Sequence, residues 1–309
     1  MTDEPNQYIE GLRAAAEDGD EIAQAELADR YDLGDGVEKN LEEAFRWYKA
    51  AVDNGNPDAF LDLGEAYLFG RGVVKDIEAG EKWIRASAEL GEPHAQYLLG
   101  TCYSGIYLSA DYEQAVKWYQ LSAEQGSQHA QFALGECYSH GYCGVEPDPE
   151  RAVELFKASA AQGDVDALNM LGYAYLFGEG VEIDAEKALE HCKEALILAE
   201  KDDDIDVITD AWFYLGMCYS CGGGHVSDSE EAAKLFNLSA EQGHELAQLF
   251  LGQAYQEGDG VEQDDEQAMK WFHAAAEKGN TDAMVELVNS YDLLNNVEEA
   301  NKWRAKLEE

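Results

Sequence analysis

Basic residues are scarce in this sequence. Its 309 residues include 21 lysines and arginines against 64 aspartates and glutamates, which gives a formal net charge of −43 at pH 7. A protein this negative repels nucleic acid and anionic lipid. We therefore expect no nucleic-acid partner. The excess acidity has two interpretations: it attracts a basic partner, or it serves solubility, for example in a salty habitat.

Long apolar runs and a basic N-terminal segment are also missing. No stretch approaches about 18 consecutive apolar residues, and the opening MTDEPNQ contains no lysine or arginine. The sequence therefore predicts neither a membrane span nor a signal peptide. We expect a cytoplasmic protein with no membrane partner, and a signal peptide removed upstream of this sequence is the alternative.

One alanine recurs along the chain and marks a repeat. Its separations are 36, 36, 35, 37, 44, 36 and 36 residues, at Ala23, Ala59, Ala95, Ala130, Ala167, Ala211, Ala247 and Ala283. After Ala59, Leu63 and Tyr67 follow at four and eight residues, which places all three on one stripe of an α-helix. The tyrosine is present in all eight units, so we expect it to wedge between neighbours.

A second helix follows the first in each unit. A glycine inside a helix costs about 1 kcal/mol relative to alanine, so its recurrence at the slot of Gly64 predicts close approach of another helix. A Gly-x-Gly-Val turn follows in four units, and its first glycine is expected to end the first helix. The second helix carries an anchor such as Trp47 or Trp271 and stops at a closing glycine such as Gly55. Each unit is therefore a helix hairpin that stacks on its neighbours.

The combined pattern resembles a known repeat family. A-x-x-x-L-G-x-x-Y-x-x-G-x-G-V followed by K-A-x-x-W-x-x-x-A-A-x-x-G is similar to the Sel1-like repeat (SLR) family, a relative of the tetratricopeptide repeats, from about residue 8 to residue 309. The resemblance implies an all-α fold, a right-handed α-solenoid of about eight helix-turn-helix repeats, with the first helices on the concave side. It also implies an adaptor or scaffold rather than an enzyme.

We expect one repeat domain over residues 1–309, with about seventeen helices. Residues 8–20 are predicted to form an N-terminal capping helix, residues 21–281 seven hairpin repeats, and residues 282–309 a C-terminal capping repeat. The 44-residue interval between Ala167 and Ala211 contains LILAEKDDDIDVITD. This segment predicts two lengthened helices joined by an acidic turn near residues 202–204. A calcium loop is disfavoured there, because the glycine and the closing glutamate of such loops are missing.

Cysteine is sparse and irregularly spaced. Six are present: Cys102, Cys137, Cys143, Cys192, Cys218 and Cys221. Cys102, Cys137 and Cys218 precede the recurrent tyrosine, where other units have alanine, so we predict small buried residues. Regular pairs are missing, which favours a reducing compartment. Two groups have spacings like those of metal ligands: Cys137, His140 and Cys143, and Cys218, Cys221 and His225. Each offers only three ligands, so we predict no metal and no cofactor.

The stripe opposite the packing stripe of each first helix should line the concave face. In the central units it carries aromatic and small polar residues suited to a peptide groove, namely Tyr97, Thr101, Phe132, Glu136, Tyr173, Phe213 and Met217. Alternatively, these rings pack between hairpins. Trp212 occupies a slot that holds glutamine in four other units, and it either fills space beside the insertion or forms an exposed contact. Acidic residues extend this face toward the N-terminus at Asp29, Asp32, Asp58 and Glu65.

These observations predict a non-catalytic scaffold. No Ser, His and Asp set is distinguished by its spacing, so we expect no enzyme. The expected partner is a protein or peptide, basic in character, bound on the concave face of a monomer. A hydrolase of small-molecule or cell-wall substrates and a metal-binding stress protein are the alternatives.

Overall fold

The computed structural model describes residues 4–222 and 226–308, and every regular element in these ranges is a helix. The chain divides into two compact units, Met1–Pro147 and Asp148–Glu309, called unit 1 and unit 2 below. The described part of unit 1 contains α1 (Glu4–Glu17), α2 (Glu21–Leu33), α3 (Leu41–Asp53), α4 (Phe60–Phe69), α5 (Ile77–Glu89), α6 (Pro93–Thr101), α7 (Tyr112–Glu124) and α8 (Gln128–His140).

Unit 2 continues the same succession of hairpins. Its described residues form α9 (Pro149–Ala160), α10 (Val165–Phe177), α11 (Ala185–Asp202), α12 (Ile205–Cys221), α13 (Ser229–Glu241), α14 (Glu245–Glu257), α15 (Asp265–Glu277), α16 (Thr281–Leu293) and α17 (Val297–Leu307). In each unit, helices that are consecutive in sequence pack against each other. The predicted all-α fold of tandem hairpins is confirmed, and the described residues contain the seventeen α-helices expected.

The recurrent glycine brings the two helices of a hairpin together, as predicted. A Cβ atom at Gly64 would lie 2.7 Å from Ile84 Cγ1, and one at Gly172 would lie 2.2 Å from Cys192 Sγ. Both distances are shorter than van der Waals contact, so even alanine displaces the second helix. The helix-propensity cost of this glycine is offset by close helix packing.

The Gly-x-Gly-Val turns end the first helices, and both glycines are needed. Gly70 closes α4 in the left-handed conformation, with φ at 74°, as predicted. Gly72 has a second role that the sequence did not indicate. A Cβ atom there would lie 1.9 Å from the carbonyl oxygen of Leu41, the first residue of α3. The turn therefore packs directly on the preceding repeat.

Part of the acidity caps helices. Nine aspartates occupy N-cap positions and accept hydrogen bonds from backbone N–H groups: Asp20, Asp76, Asp111, Asp148, Asp164, Asp184, Asp204, Asp228 and Asp264. Such a cap contributes about 1 kcal/mol, and its charge interacts favourably with the helix dipole. Local structure therefore explains part of the negative charge without a partner.

The core consists of the predicted packing stripe together with the anchors of the second helices. Leu63, Leu99 and Leu171 lie at the same slot of three units and are at most 1% exposed. The predicted burial of Cys102, Cys137 and Cys218 is confirmed as well. Near the C-terminus, Trp303 packs in a cluster with residues of α14, α15 and α16. Burial of this kind contributes about 25 cal/mol per Å² of apolar surface.

The irregular segments follow the predicted departures. The 44-residue spacing is taken up by α11 and α12, with 18 and 17 residues, joined at Asp203 in the left-handed conformation. Two turns of unit 1 also differ from the others. Residues Cys102–Ile106 form a π-helical turn, and Tyr142–Gly144 form a short 3-10 turn.

Candidate partner-binding surface

Four carboxylates lie together on the first helices of unit 1. Asp29 and Asp32 belong to α2, and Asp62 and Glu65 belong to α4. These four residues are called the acidic cluster. Within each helix the pair is three residues apart, a spacing that places both side chains on one face. Asp58, also expected on this face, is exposed in the turn before α4.

Hydrogen bonds fix the acidic cluster between two repeats. Arg71 donates from Nη1 to Oε2 of Glu65 at 3.0 Å and from Nη2 to Oδ2 of Asp32 at 2.5 Å. The Tyr48 hydroxyl donates to Oδ1 of Asp29 at 2.8 Å. The Asp32 and Glu65 side chains are each 16% exposed, so these charged contacts are shielded more than ordinary surface pairs.

The carboxylates of the acidic cluster repel one another. Burial raises the pKa of Asp62 to about 6, and the negative charges of Asp29 and Glu65 add to the increase. Burial also raises the pKa of Asp29, while the hydrogen bond from Tyr48 opposes that change. Two nearby guanidinium groups, those of Arg71 and Arg30, do not neutralise four carboxylates. The cluster therefore attracts further positive charge.

An aromatic row begins where the acidic cluster ends. His94 Nε2 lies 3.1 Å from Oε1 of Glu65, and this contact raises the pKa of His94. The ring of His94 stacks on Tyr97 with centroids 6.0 Å apart, and Tyr97 lies 5.5 Å from the ring of His129. His94, Tyr97 and His129 are called the aromatic row. Carboxylates and aromatic faces thus form one continuous series of contacts within unit 1.

The other expected residues of unit 1 lie near the aromatic row. Thr101 donates its hydroxyl to the Tyr97 carbonyl at 3.2 Å and accepts from the Tyr119 hydroxyl at 3.3 Å. Thr101 therefore bonds to the backbone of its own helix and holds the side chain of Tyr119. Phe132 and Glu136 are half-buried on α8, and Glu136 lines a cavity of about 590 Å³.

Two expected residues of unit 2 are core residues. Phe213 is 4% exposed and Met217 is 7% exposed, and both belong to the main hydrophobic cluster of unit 2. The Phe213 ring stacks on His244 at 4.4 Å and contacts Phe236 at 6.1 Å. The expectation that Phe213 and Met217 line an open groove is wrong, because α13 and α14 cover this stripe of α12. The alternative, packing between hairpins, applies to them.

Trp212 and Tyr173 occupy intermediate positions. Trp212 is half-buried and packs against two clusters, one around Phe236 and one formed by Ala199, Ile208 and Ala211. It fills the space beside the lengthened helices. Tyr173 is half-buried with its ring 4.7 Å from that of Phe177, an exposed residue of the same helix. Of the expected residues in unit 2, Tyr173 still has an accessible ring.

The slot just before the recurrent alanine contributes residues that sequence reasoning missed. This slot holds His94 and His129 in unit 1, and Asp166 and Asp210 in unit 2. Burial raises the pKa of both aspartates, and the charge of Asp166 raises that of Asp210 further. His244 Nε2 lies 3.5 Å from Oδ1 of Asp210. The signal was present in the sequence, because this slot holds an ionisable residue in six of the eight units, namely Asp58, His94, His129, Asp166, Asp210 and Asp282.

The described members of the two cysteine groups form no metal site. In residues 4–222 and 226–308, three or more His, Cys, Asp or Glu side chains nowhere come together in a way that could hold a metal ion. Cys218 faces Cys192, with 3.4 Å between the sulfur atoms, and Cys221 is exposed. His225 lies outside the described residues. Across the same residues, no helix has the length and apolar character needed to cross a membrane.

Comparison with protein-family models matches most of the chain to one repeat. The Sel1 repeat matches residues 22–56, 57–92, 93–127, 128–164, 165–197, 209–244 and 246–280. These seven segments follow the predicted hairpins, and the break between residues 197 and 209 falls in the long insertion. The final hairpin, which was expected to be an atypical cap, has no match of its own. None of the curated proteins compared with the chain by sequence is similar to it.

Solved structures of similar proteins share the fold. The c5321 protein of uropathogenic Escherichia coli, a protective antigen with an SLR fold, is 33% identical with a TM-score of 0.71, over 97% of this chain and 63% of that one. The Sel1 repeat protein from Oxalobacter formigenes is 33% identical with a TM-score of 0.63, and the match covers 90% of this chain and 78% of that one. The chain thus spans less than two thirds of the E. coli protein.

Proposed function

The chain belongs to the Sel1 repeat family, and we propose that it acts as a non-catalytic scaffold that binds a basic segment of a partner protein. Stacked repeats of this kind present extended surfaces on which partners bind. The binding surface is the acidic cluster and the aromatic row of unit 1. The observation that carries the proposal is the set of four carboxylates that lie together, of which Asp32 and Glu65 are paired with Arg71.

A lysine or arginine side chain of the partner fits the acidic cluster electrostatically. Asp62 is half-buried beside Asp29 and Glu65, and burial together with these two negative charges raises its pKa to about 6. A cation placed there relieves the repulsion. Because Asp32 and Glu65 are already held by Arg71, little side-chain entropy is lost when the partner binds.

The aromatic row supplies the less salt-sensitive part of the interaction. Tyr97 is half-buried, and the rings of His94 and His129 lie next to it at centroid distances of 6.0 and 5.5 Å. A rigid ring held in this way offers contact area at low entropic cost and a face for a cationic side chain. We therefore expect the acidic cluster to govern the association rate and Tyr97 to govern the dissociation rate.

A second contact region in unit 2 has the same chemistry. The pKa values of Asp166 and Asp210 are raised, and the ring of Tyr173 in the same unit is accessible. The expected partner therefore carries more than one basic residue. Neither the hydrolase nor the metal-binding alternative is favoured by a specific contact among the described residues.

A peptide of defined charge tests the proposal. A fluorescent peptide of alternating glycine and lysine is titrated against the protein, with glutamine replacing lysine in the control peptide. The variant pair Asp32→Asn and Glu65→Gln leaves Arg71 uncompensated, so we expect affinity for the lysine peptide to fall at least about tenfold at low salt. The matched control is Glu42→Gln with Glu78→Gln, which changes net charge equally at two exposed positions.

The control pair is expected to change affinity less than about twofold, since exposed charges of this kind contribute little. An equal loss of affinity in the two double variants would mean that the peptide responds to net charge alone, and the assigned surface would be wrong. Binding of the glutamine peptide as tightly as the lysine peptide would contradict the proposed basic character of the partner.

A further inference from the structure

Two cysteines of unit 1 lie almost at bonding distance. The sulfur atoms of Cys137 and Cys143 are 2.7 Å apart, although six residues separate them in the sequence. A disulfide bond is about 2.05 Å long, so closure needs a movement of less than about 1 Å. Cys137 lies in the last turns of α8, and Cys143 lies in the short turn Tyr142–Gly144 that follows.

The backbone holds Cys143 in an unusual conformation. Its φ is 59°, in the left-handed region that residues other than glycine seldom adopt. Gly141 and Gly144, on either side, have φ values of 68° and 69°. Three left-handed residues within four positions turn the chain back on α8, and this turn brings the Cys143 thiol to Cys137. An ordinary repeat turn has glycine at its left-handed positions, so a cysteine here carries a conformational cost.

A cavity gives a small molecule access to the thiol pair. Its volume is about 590 Å³, and Cys137 and Cys143 line it together with Ile106, Tyr112, Tyr119 and Glu136. Cys143 is half-buried and faces this space, whereas Cys137 behind it is 3% exposed. A reagent in the cavity therefore meets Cys143 first.

The hydrogen bond between the thiols gives the two cysteines different reactivity. Cys137 donates to the sulfur of Cys143, which lowers the pKa of Cys143 and raises that of Cys137. The thiolate is the reactive form of cysteine. Cys143 is thus suited to attack a reagent, and Cys137 is suited to resolve the product.

A second thiol pair in the same chain lacks these features. Cys192 and Cys218 are 3.4 Å apart and at most 1% exposed, and the neighbouring Cys218 thiol together with burial raises the pKa of Cys192. Cys192 packs against Gly172 in the tight interface of a hairpin. This pair is an internal control, because its sulfurs are also neighbours but are closed off from solvent.

We propose that Cys137 and Cys143 are a reversible oxidation site, where a low-molecular-weight disulfide introduces an intramolecular disulfide bond. The Cys143 thiolate attacks one sulfur of the reagent, whose S–S bond breaks and releases one thiol after protonation. Cys137 then loses its proton to solvent, and its sulfur attacks Cys143 and releases the second thiol. Two cysteine thiols are oxidised, and one reagent disulfide is reduced to two thiols.

Oxidised glutathione is the probe for the first test. Full-length protein is incubated with it at neutral pH, the remaining thiols are alkylated, and peptide mass mapping identifies the bonds formed. We expect the bond between Cys137 and Cys143 to form at least about tenfold faster than any bond between Cys192 and Cys218. Complete alkylation of Cys137 and Cys143 after the incubation, or earlier closure of the Cys192 pair, would overturn the proposal.

Two single variants test the assigned order. Cys137→Ser should accumulate a mixed disulfide with glutathione at Cys143, and Cys143→Ser should leave Cys137 unmodified because it is buried. Serine is close to cysteine in size, and circular dichroism checks that both variants keep their helices. Modification of Cys137 at the wild-type rate in Cys143→Ser contradicts the assignment, as does a stoichiometric zinc ion on both thiols before oxidation.

Discussion

The Nε2 atom of His94 lies 3.1 Å from the Oε1 atom of Glu65. This contact joins the third repeat to the second, and it is where the aromatic row meets the acidic cluster. The carboxylate stabilises the protonated imidazole, so the pKa of His94 rises above its ordinary value of 6.5. Protonation of this one ring therefore changes the charge of the proposed binding surface.

We expect His94→Gln to reduce the dependence of stability on pH. The raised pKa means that the folded protein binds this proton more tightly than the unfolded chain does. The stabilisation is complete below pH 6.5 and is lost as the pH rises through the folded value. Urea unfolding at a series of pH values measures the effect, and an identical profile for wild type and variant would contradict it.

Asp62 gives a second pH dependence. Its pKa rises from 3.8 to about 6 on folding, so the folded state binds the proton more tightly and stability falls as pH rises between these values. We expect Asp62→Asn to stabilise the protein by about 1–2 kcal/mol at pH 8. This is less than the free energy that corresponds to the full pKa shift, because the side chain is partly exposed. The difference should disappear below pH 3.8.

Thermal unfolding at the two pH extremes measures the Asp62 effect. The matched control is Asp58→Asn, which removes an exposed carboxylate of the same repeat and should change stability by less than about 0.5 kcal/mol. Destabilisation by Asp62→Asn at pH 8 would mean that the ionised carboxylate has a favourable partner, and the repulsion assigned to the acidic cluster would be wrong.

The regular parts of this fold could be predicted because they depend on neighbours at fixed spacing. Leu63 and Tyr67 identify the first helix, and Gly64 indicates the close contact with Ile84. Even the irregular insertion was predictable, because the run of aspartates at residues 202–204 favours a turn over a helix. Each of these inferences uses residues within one repeat or the next.

The proposed binding surface was less predictable, because burial there depends on three helices rather than two. From one helix alone, Tyr97 and Phe213 occupy the same slot and have the same expected role. In the structure, α13 and α14 cover Phe213, whereas Tyr97 remains half-buried between two histidines. The sequence of α12 does not specify which of its stripes the next repeat will cover.

Tyr97→Ala should weaken binding without unfolding the protein. We expect affinity for the lysine peptide to fall by about 1–3 kcal/mol, mainly through faster dissociation, since an aromatic ring near the centre of an interface is a typical hot spot. Stopped-flow fluorescence separates the two rates. The control is Tyr112→Ala, which removes an exposed tyrosine of α7 outside the aromatic row. Equal losses in both variants would count against the assigned surface.

Phe213→Ala should act on stability. The ring is 4% exposed and contacts Phe236, Phe250 and His244, so truncation leaves a cavity and costs about 3–5 kcal/mol. Urea unfolding measures the loss. Phe177→Ala removes an exposed ring of the same unit and should cost less than about 1 kcal/mol. If the Phe213→Ala protein is as stable as wild type but binds the peptide more weakly, Phe213 contributes to the binding groove despite its burial.

The last prediction concerns a buried amide in unit 2. Asn169 is 1% exposed, and neither its Oδ1 nor its Nδ2 has a hydrogen-bond partner. A buried polar group without a partner costs about 1–3 kcal/mol, and leucine has nearly the same shape. We expect Asn169→Leu to raise the free energy of unfolding by about 1–2 kcal/mol. Gln96→Leu is the contrast, because this buried amide donates to the Ala88 carbonyl and accepts from Gln125, so its loss should destabilise. Destabilisation by both variants would mean that the Asn169 amide is hydrogen-bonded in solution.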